Sequence, residues 1–151
     1  MELDRNFKEF LELLNKNEVE YLLVGGYAIG IYVEPRFTGD IDFWVKNTLE
    51  NGKKIVKTID EFGLSSLGVK AEDFLNPDCI LQIGYRPIRI DLLTHIEGVD
   101  FDSSWKEKTK YQTEGIDLWV ISKKDLMINK AAVAREQDLK DLKELKNPKK
   151  K

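Results

Sequence analysis

Between Gly39 and Val45 the chain alternates: Asp40, Asp42 and Trp44 fall on one side of an extended segment, and Ile41, Phe43 and Val45 on the other. A period of two predicts a strand. It is an unusual one, because strands are depleted in aspartate and two carboxylates on one face, roughly 6–7 Å apart, repel each other. Such a strand needs a core against its apolar face and cations or hydrogen-bond donors against the other. A solvated edge strand is the plainer reading of the same pattern. The apolar set Ile41, Phe43 and Val45 favours the interior of a sheet.

The flanking sequence supplies the elements for that sheet. Leu3, Phe7, Phe10, Leu11, Leu13 and Leu14 recur at helical spacing and predict an amphipathic helix over about 4–16. Tyr21-Leu22-Leu23-Val24 reads as a buried strand that stops at Gly25-Gly26, followed by a short helix over 27–33 that Pro35 ends. A helix over about 49–62 has Gly63 as its C-terminal cap. Strands over 79–85 and 89–94 join at a turn around Arg86-Pro87, and strands over 108–112 and 116–121 join around Glu114-Gly115. From Ser122 the pattern is helical, with a break near Arg135. Helices and strands alternate first and strands then pair locally, so the fold class is α/β or α+β, a mixed sheet flanked by helices.

A chain of 151 residues with 42% hydrophobic content suits one domain over 1–145, with a core over about 18–121 and C-terminal helices over about 122–145. The tail 146–151 is expected to be disordered. Cys79 and His95 are the only residues of their types, which excludes an internal disulfide and a cysteine- or histidine-rich metal site. A net charge of −3 argues against a broad nucleic-acid-coating face, although a local basic pocket is compatible with it. No apolar run approaches the ~20 residues that span a bilayer, and the N-terminus does not read as a signal peptide. A cytoplasmic protein is the expectation.

Three features carry the chemistry. The first is the strand–turn–helix around Gly25-Gly26, where the lack of Cβ lets backbone N–H groups approach a phosphate at a helix start. An ordinary turn uses paired glycines as well, and neither a dinucleotide fingerprint nor a Walker A pattern is present. The second is the Asp40/Asp42 pair, a donor set suited to magnesium. The third is Asp91, a lone acid within Arg89-Ile90-Asp91-Leu92-Leu93. A salt bridge to Arg89 or Arg86 would account for Asp91 by itself. A strand placed beside Asp40–Asp42 would add it to their cluster.

Taken together, Gly25-Gly26, the string Arg36-Phe37-Thr38-Gly39-Asp40-Ile41-Asp42-Phe43-Trp44 and Ile90-Asp91-Leu92 resemble the DNA polymerase beta-like nucleotidyltransferase superfamily. The likeness is to its minimal branch, which includes the abortive-infection nucleotidyltransferase toxins, and it covers residues 20–95. The resemblance implies a nucleotidyltransferase fold. It also implies an enzyme that moves a nucleoside monophosphate from an NTP, such as ATP, to a hydroxyl acceptor: tRNA, a protein or a small molecule. Asp40 and Asp42 would ligate two Mg2+ or Mn2+ ions. Asp91 would bind one of them and help to activate the acceptor. Gly25 and Gly26 would cradle the triphosphate. Arg36 and Thr38 would orient phosphate, though Arg36 pairing with Asp40 as plain structure is an equal reading. Lys130 lies on a helix that in relatives faces the triphosphate, whereas a lysine on a helix is more often solvated. The resemblance also admits a catalytically silent or partner-dependent nucleotide-binding module, completed by an antitoxin or a second copy.

Other residues have plainer roles. Arg135, Asp138 and Asp141 are explained by i,i+3 pairing on one polar helix face. His95 reads as a surface or capping residue. Trp44, which shares the Asp40–Asp42 face, is the preferred candidate among the three tryptophans for stacking a base.

Overall fold

The alternating segment forms a strand, β2 (Asp40–Val45), inside a six-stranded sheet. This computed structural model describes residues 3–35, 38–85 and 87–147. The other strands are β1 (Tyr21–Val24), β3 (Ile80–Tyr85), β4 (Ile88–Leu93), β5 (Thr109–Thr113) and β6 (Ile116–Val120). Across the sheet the order is β3-β4-β2-β1-β6-β5. The pairs β2/β4 and β1/β6 are parallel, and the β1/β2, β3/β4 and β5/β6 pairs are antiparallel. The two expected hairpins therefore form, and they flank a central pair rather than adjoin each other.

Helix α1 (Arg5–Lys16) starts where Asp4 accepts from the Asn6 N–H at 2.8 Å and buries Phe7, Phe10, Leu11 and Leu14. Removing each large apolar side chain from water contributes roughly 1.5–3 kcal/mol. Phe10 meets Phe43 from the sheet at 6.3 Å between ring centres, which identifies the Ile41–Phe43–Val45 face as the one α1 covers. Helix α3 (Leu49–Glu61) packs beside α1 and ends in a Schellman turn: Gly63, with φ 93°, donates to Asp60 O, and Leu64 donates to Ile59 O. Asn51 ties that helix to the sheet. Its side chain is 2% exposed; it accepts from the Glu20 N–H at 2.9 Å and donates to the carbonyls of Glu20 and Lys46 at 3.1 and 3.0 Å.

The opposite sheet face is covered unevenly. Helix α4 (Phe101–Lys106), capped by Asp100, sets Phe101 edge-on against Trp44 at 5.1 Å. Helix α2 (Gly25–Tyr32) follows β1 directly. After Ser122 caps α5 (Lys123–Val133), Ala134 takes a left-handed φ of 55° and redirects the chain into α6 (Glu136–Lys146). Asp40 and Asp42, on the strand end that α4 leaves uncovered, face a cleft instead of a core. Among the described residues no helix is long and apolar enough to cross a membrane. Of the expected disordered tail, residues 148–151 lie outside the described residues.

Candidate active site

Sheet register assembles the site. Val24 on β1 pairs with Asp42 on β2, and Asp42 pairs with Asp91 on β4, so one row crosses three central strands. The row places the start of α2 on one side of Asp42 and a second carboxylate on the other. One oxygen from each of Asp40, Asp42 and Asp91 lies within 4.8 Å of the others. Gly25 has φ 71°, and a β-carbon there would overlap the Asp42 carboxylate, so only glycine fits the bend without strain. Gly26 abuts Thr38, whose hydroxyl donates to the Asp40 carbonyl at 3.0 Å.

Three carboxylates gathered this closely must be compensated. Arg89 supplies part of the balance: Nε donates to Asp91 Oδ1 at 2.8 Å, and Nη2 donates to Asp40 Oδ2 at 2.9 Å. Protonation supplies more. Burial, with the charges of Asp40 and Asp91 adding to it, pushes the Asp42 carboxyl up to about 7; the nearby guanidinium opposes the shift without cancelling it. An oxygen-only set of this kind suits a hard divalent cation such as Mg2+ or Mn2+ far better than a soft metal.

The carboxylates open into a cleft of about 1020 Å³. Gly25, Gly26 and Thr38 line it near Asp40 and Asp42, Lys130 and Arg135 line the helical wall, and Ile80, Leu93 and Ile96 form an apolar wall. Lys130 is 8% exposed, not a solvated helix residue. Its ammonium lies 3.1 Å from Asp138 Oδ1 and 3.1 Å from Asp141 Oδ2. Burial alone would raise the Asp138 carboxyl, but hydrogen bonds from Arg135 and Lys130 outweigh it and hold the group below the usual range. Arg135 Nε donates to Asp138 Oδ2 at 2.6 Å, the expected i,i+3 contact. The polar face expected for Asp138 and Asp141 is, however, 1% and 0% exposed, because α6 folds back onto Lys130.

The structure thus brings Gly25, Gly26, Thr38, Asp40, Asp42 and Lys130 to one cleft, with Asp91 behind the acidic pair. Arg36 lies outside the described residues. Trp44 does not line the cleft: it is 2% exposed beneath α4, which the short helix at 101–106 gave no periodic signal to foresee. His95 stands on the cleft rim, 3.6 Å from Glu97, with both side chains more than half exposed. Arg89 pairs with Asp91, as its place in the sequence allows, and also reaches Asp40, which the sequence does not announce. The one hint is its position two residues before Asp91, on the same strand face.

Two likenesses to known proteins bear on the family and the fold. The family model described as "Nucleotidyltransferase of unknown function (DUF6036)" matches residues 1–147. No curated protein matches the chain by sequence. A crystal structure of the lincosamide antibiotic adenylyltransferase LnuA, lincomycin-bound, is similar in fold, with a TM-score of 0.57. The likeness covers 97% of this chain and 98% of that one at 14% identity, and so it bears on fold alone.

Proposed function

The chain belongs to this family of nucleotidyltransferases, and from that premise we propose that it transfers a nucleoside monophosphate from an NTP to a hydroxyl acceptor in the cleft, with Asp40, Asp42 and Asp91 holding Mg2+ or Mn2+. The convergence of their oxygens within 4.8 Å, beside the Gly25 bend, carries the reading. When bound, divalent ions supply charge neutralisation at the phosphates and lower the pKa of the acceptor hydroxyl. The chain's own residues supply the positioning. The backbone at Gly25 and Gly26 and the positive end of α2 receive the phosphates, with no side chain in the way. Thr38 braces the Asp40 segment. Asp138 and Asp141 fix the Lys130 ammonium at the cleft wall, where it would meet the triphosphate. Asp91, 5% exposed, would take the acceptor's proton.

The cleft favours a small acceptor. Its far wall is apolar (Ile80, Leu93, Ile96), and among the described residues its lining lysine and arginine, Lys130 and Arg135, are both engaged by Asp138. An RNA backbone recruits free lysines and arginines, and a small hydroxylated molecule with an apolar side needs none. The adenylyltransferase of similar fold has a small molecule, lincomycin, bound in its structure.

The test is transfer of label from each α-labelled NTP, in Mg2+ or Mn2+, to lincosamides and other hydroxylated small molecules, to tRNA and to protein. Label on a small-molecule hydroxyl, lost in Asp42→Asn, supports the proposal. Label retained by Asp42→Asn would overturn the site. A toxin-type role is read separately, as growth arrest on expression that Asp42→Asn relieves.

A further inference from the structure

Arg89 sits directly opposite Asp40 in the parallel β2/β4 register and two residues before Asp91. Its side chain therefore lies on the carboxylate-bearing face and reaches both strands. Besides the Nε contact to Asp91 Oδ1, one terminal nitrogen, Nη2, donates to Asp91 Oδ2 at 3.0 Å and to Asp40 Oδ2 at 2.9 Å. A single nitrogen thus bridges carboxylates from two strands, both of them members of the proposed metal site. The guanidinium keeps its charge at any working pH, and its side chain is 18% exposed.

We infer that Arg89 is a resident cation of the site: it holds Asp40 and Asp91 together in the metal-free protein and competes with the divalent ion for them. The inference rests on the proposal that these carboxylates bind metal. Its physical content is electrostatic. The fork satisfies both Asp91 oxygens and one of Asp40, preventing two like charges on neighbouring strands from splaying the sheet end. The same positive charge opposes a second cation at those oxygens. Arg89 is accordingly a positioning residue that lowers metal affinity in the absence of nucleotide, and triphosphate oxygens offer its guanidinium an alternative anionic partner.

Mn2+ binding without nucleotide, measured by calorimetry, tests this on wild type, Arg89→Met, Arg89→Lys and Asp42→Asn, with thermal unfolding in chelator and in Mn2+. Arg89→Met is expected to bind Mn2+ about tenfold tighter than wild type, because a like charge has left the site. It should unfold at a lower temperature in chelator and gain more from Mn2+. Arg89→Lys retains the charge without the fork, and should stay near wild type in affinity while losing stability in chelator. Unchanged or weaker Mn2+ binding by Arg89→Met overturns the inference. If Arg89→Met does not fold, unaltered chelator-state stability in Arg89→Lys overturns it. Loss of Mn2+ binding in Asp42→Asn alongside an unchanged Arg89→Met would leave the metal site standing and reject only the role of Arg89. Wild-type binding in Asp42→Asn would reject both.

Discussion

The Gly25 backbone lies against the Asp42 carboxylate so closely that a β-carbon would overlap Oδ2. Gly25 also has φ 71°, a left-handed conformation that costs an L side chain roughly 1–2 kcal/mol. Gly25→Ala is therefore expected to lower unfolding free energy by about 2 kcal/mol or more in urea. Gly26→Ala meets Thr38 only at 3.3 Å and should stay within about 1 kcal/mol of wild type. Equal losses for the two variants would contradict this account of the bend.

Asp42 makes the metal-free protein pH-sensitive. Burial beside Asp40 and Asp91 pushes its folded-state carboxyl up to about 7 from an ordinary value of 3.8, so folding favours the protonated form. The stability this group contributes is fully present below about 3.8 and is lost as pH rises through about 7. In chelator, the melting temperature of wild type should fall between about pH 4 and pH 7 relative to Asp42→Asn, which cannot ionise there. Metal binding at pH 6 should also release a proton, seen as a buffer-dependent calorimetric heat in wild type.

Lys130 is as structural as it is site-lining. Lys130→Met would remove the ammonium from between two buried carboxylates, leaving Asp138 its bonds from Arg135 and Asp141 its bond from Gln137, and should cost about 3 kcal/mol. Adding Asp138→Asn and Asp141→Asn to Lys130→Met should recover part of that loss in urea unfolding. A fully stable Lys130→Met would show that the ammonium does not neutralise the pair.

Asn51 is expected to matter for stability and not for the cleft. Asn51→Ala leaves the Glu20 N–H and two carbonyls without their buried partner and should cost about 2–3 kcal/mol. Mn2+ affinity measured on the folded variant should be unchanged.

The strand order of hydrophobic and acidic residues at 40–45, the apolar stripe of α1 and the glycine after Val24 were all legible because each is a local pattern with a fixed period or a unique backbone requirement. Helix α4 was not legible. Six residues make too few turns to show a period, and so Trp44 could be assigned to a face by alternation but not to the helix that covers it. Asp138 and Asp141 likewise look like surface charges at a spacing of three until α6 is folded against α5.

By itself the sequence determined which residues could make a metal and phosphate site: acids two apart on a strand, a third acid between apolar neighbours, and a paired glycine at a strand's end. Only the tertiary structure decided that these meet. Parallel pairing of β2 with β4 sets Asp42 beside Asp91, and the same register sets Arg89 opposite Asp40. The reason is physical. A strand's face follows from its own residues, but which strand lies next to it is chosen by burial across the whole sheet, and the charge balance of the cleft exists only after that choice is made.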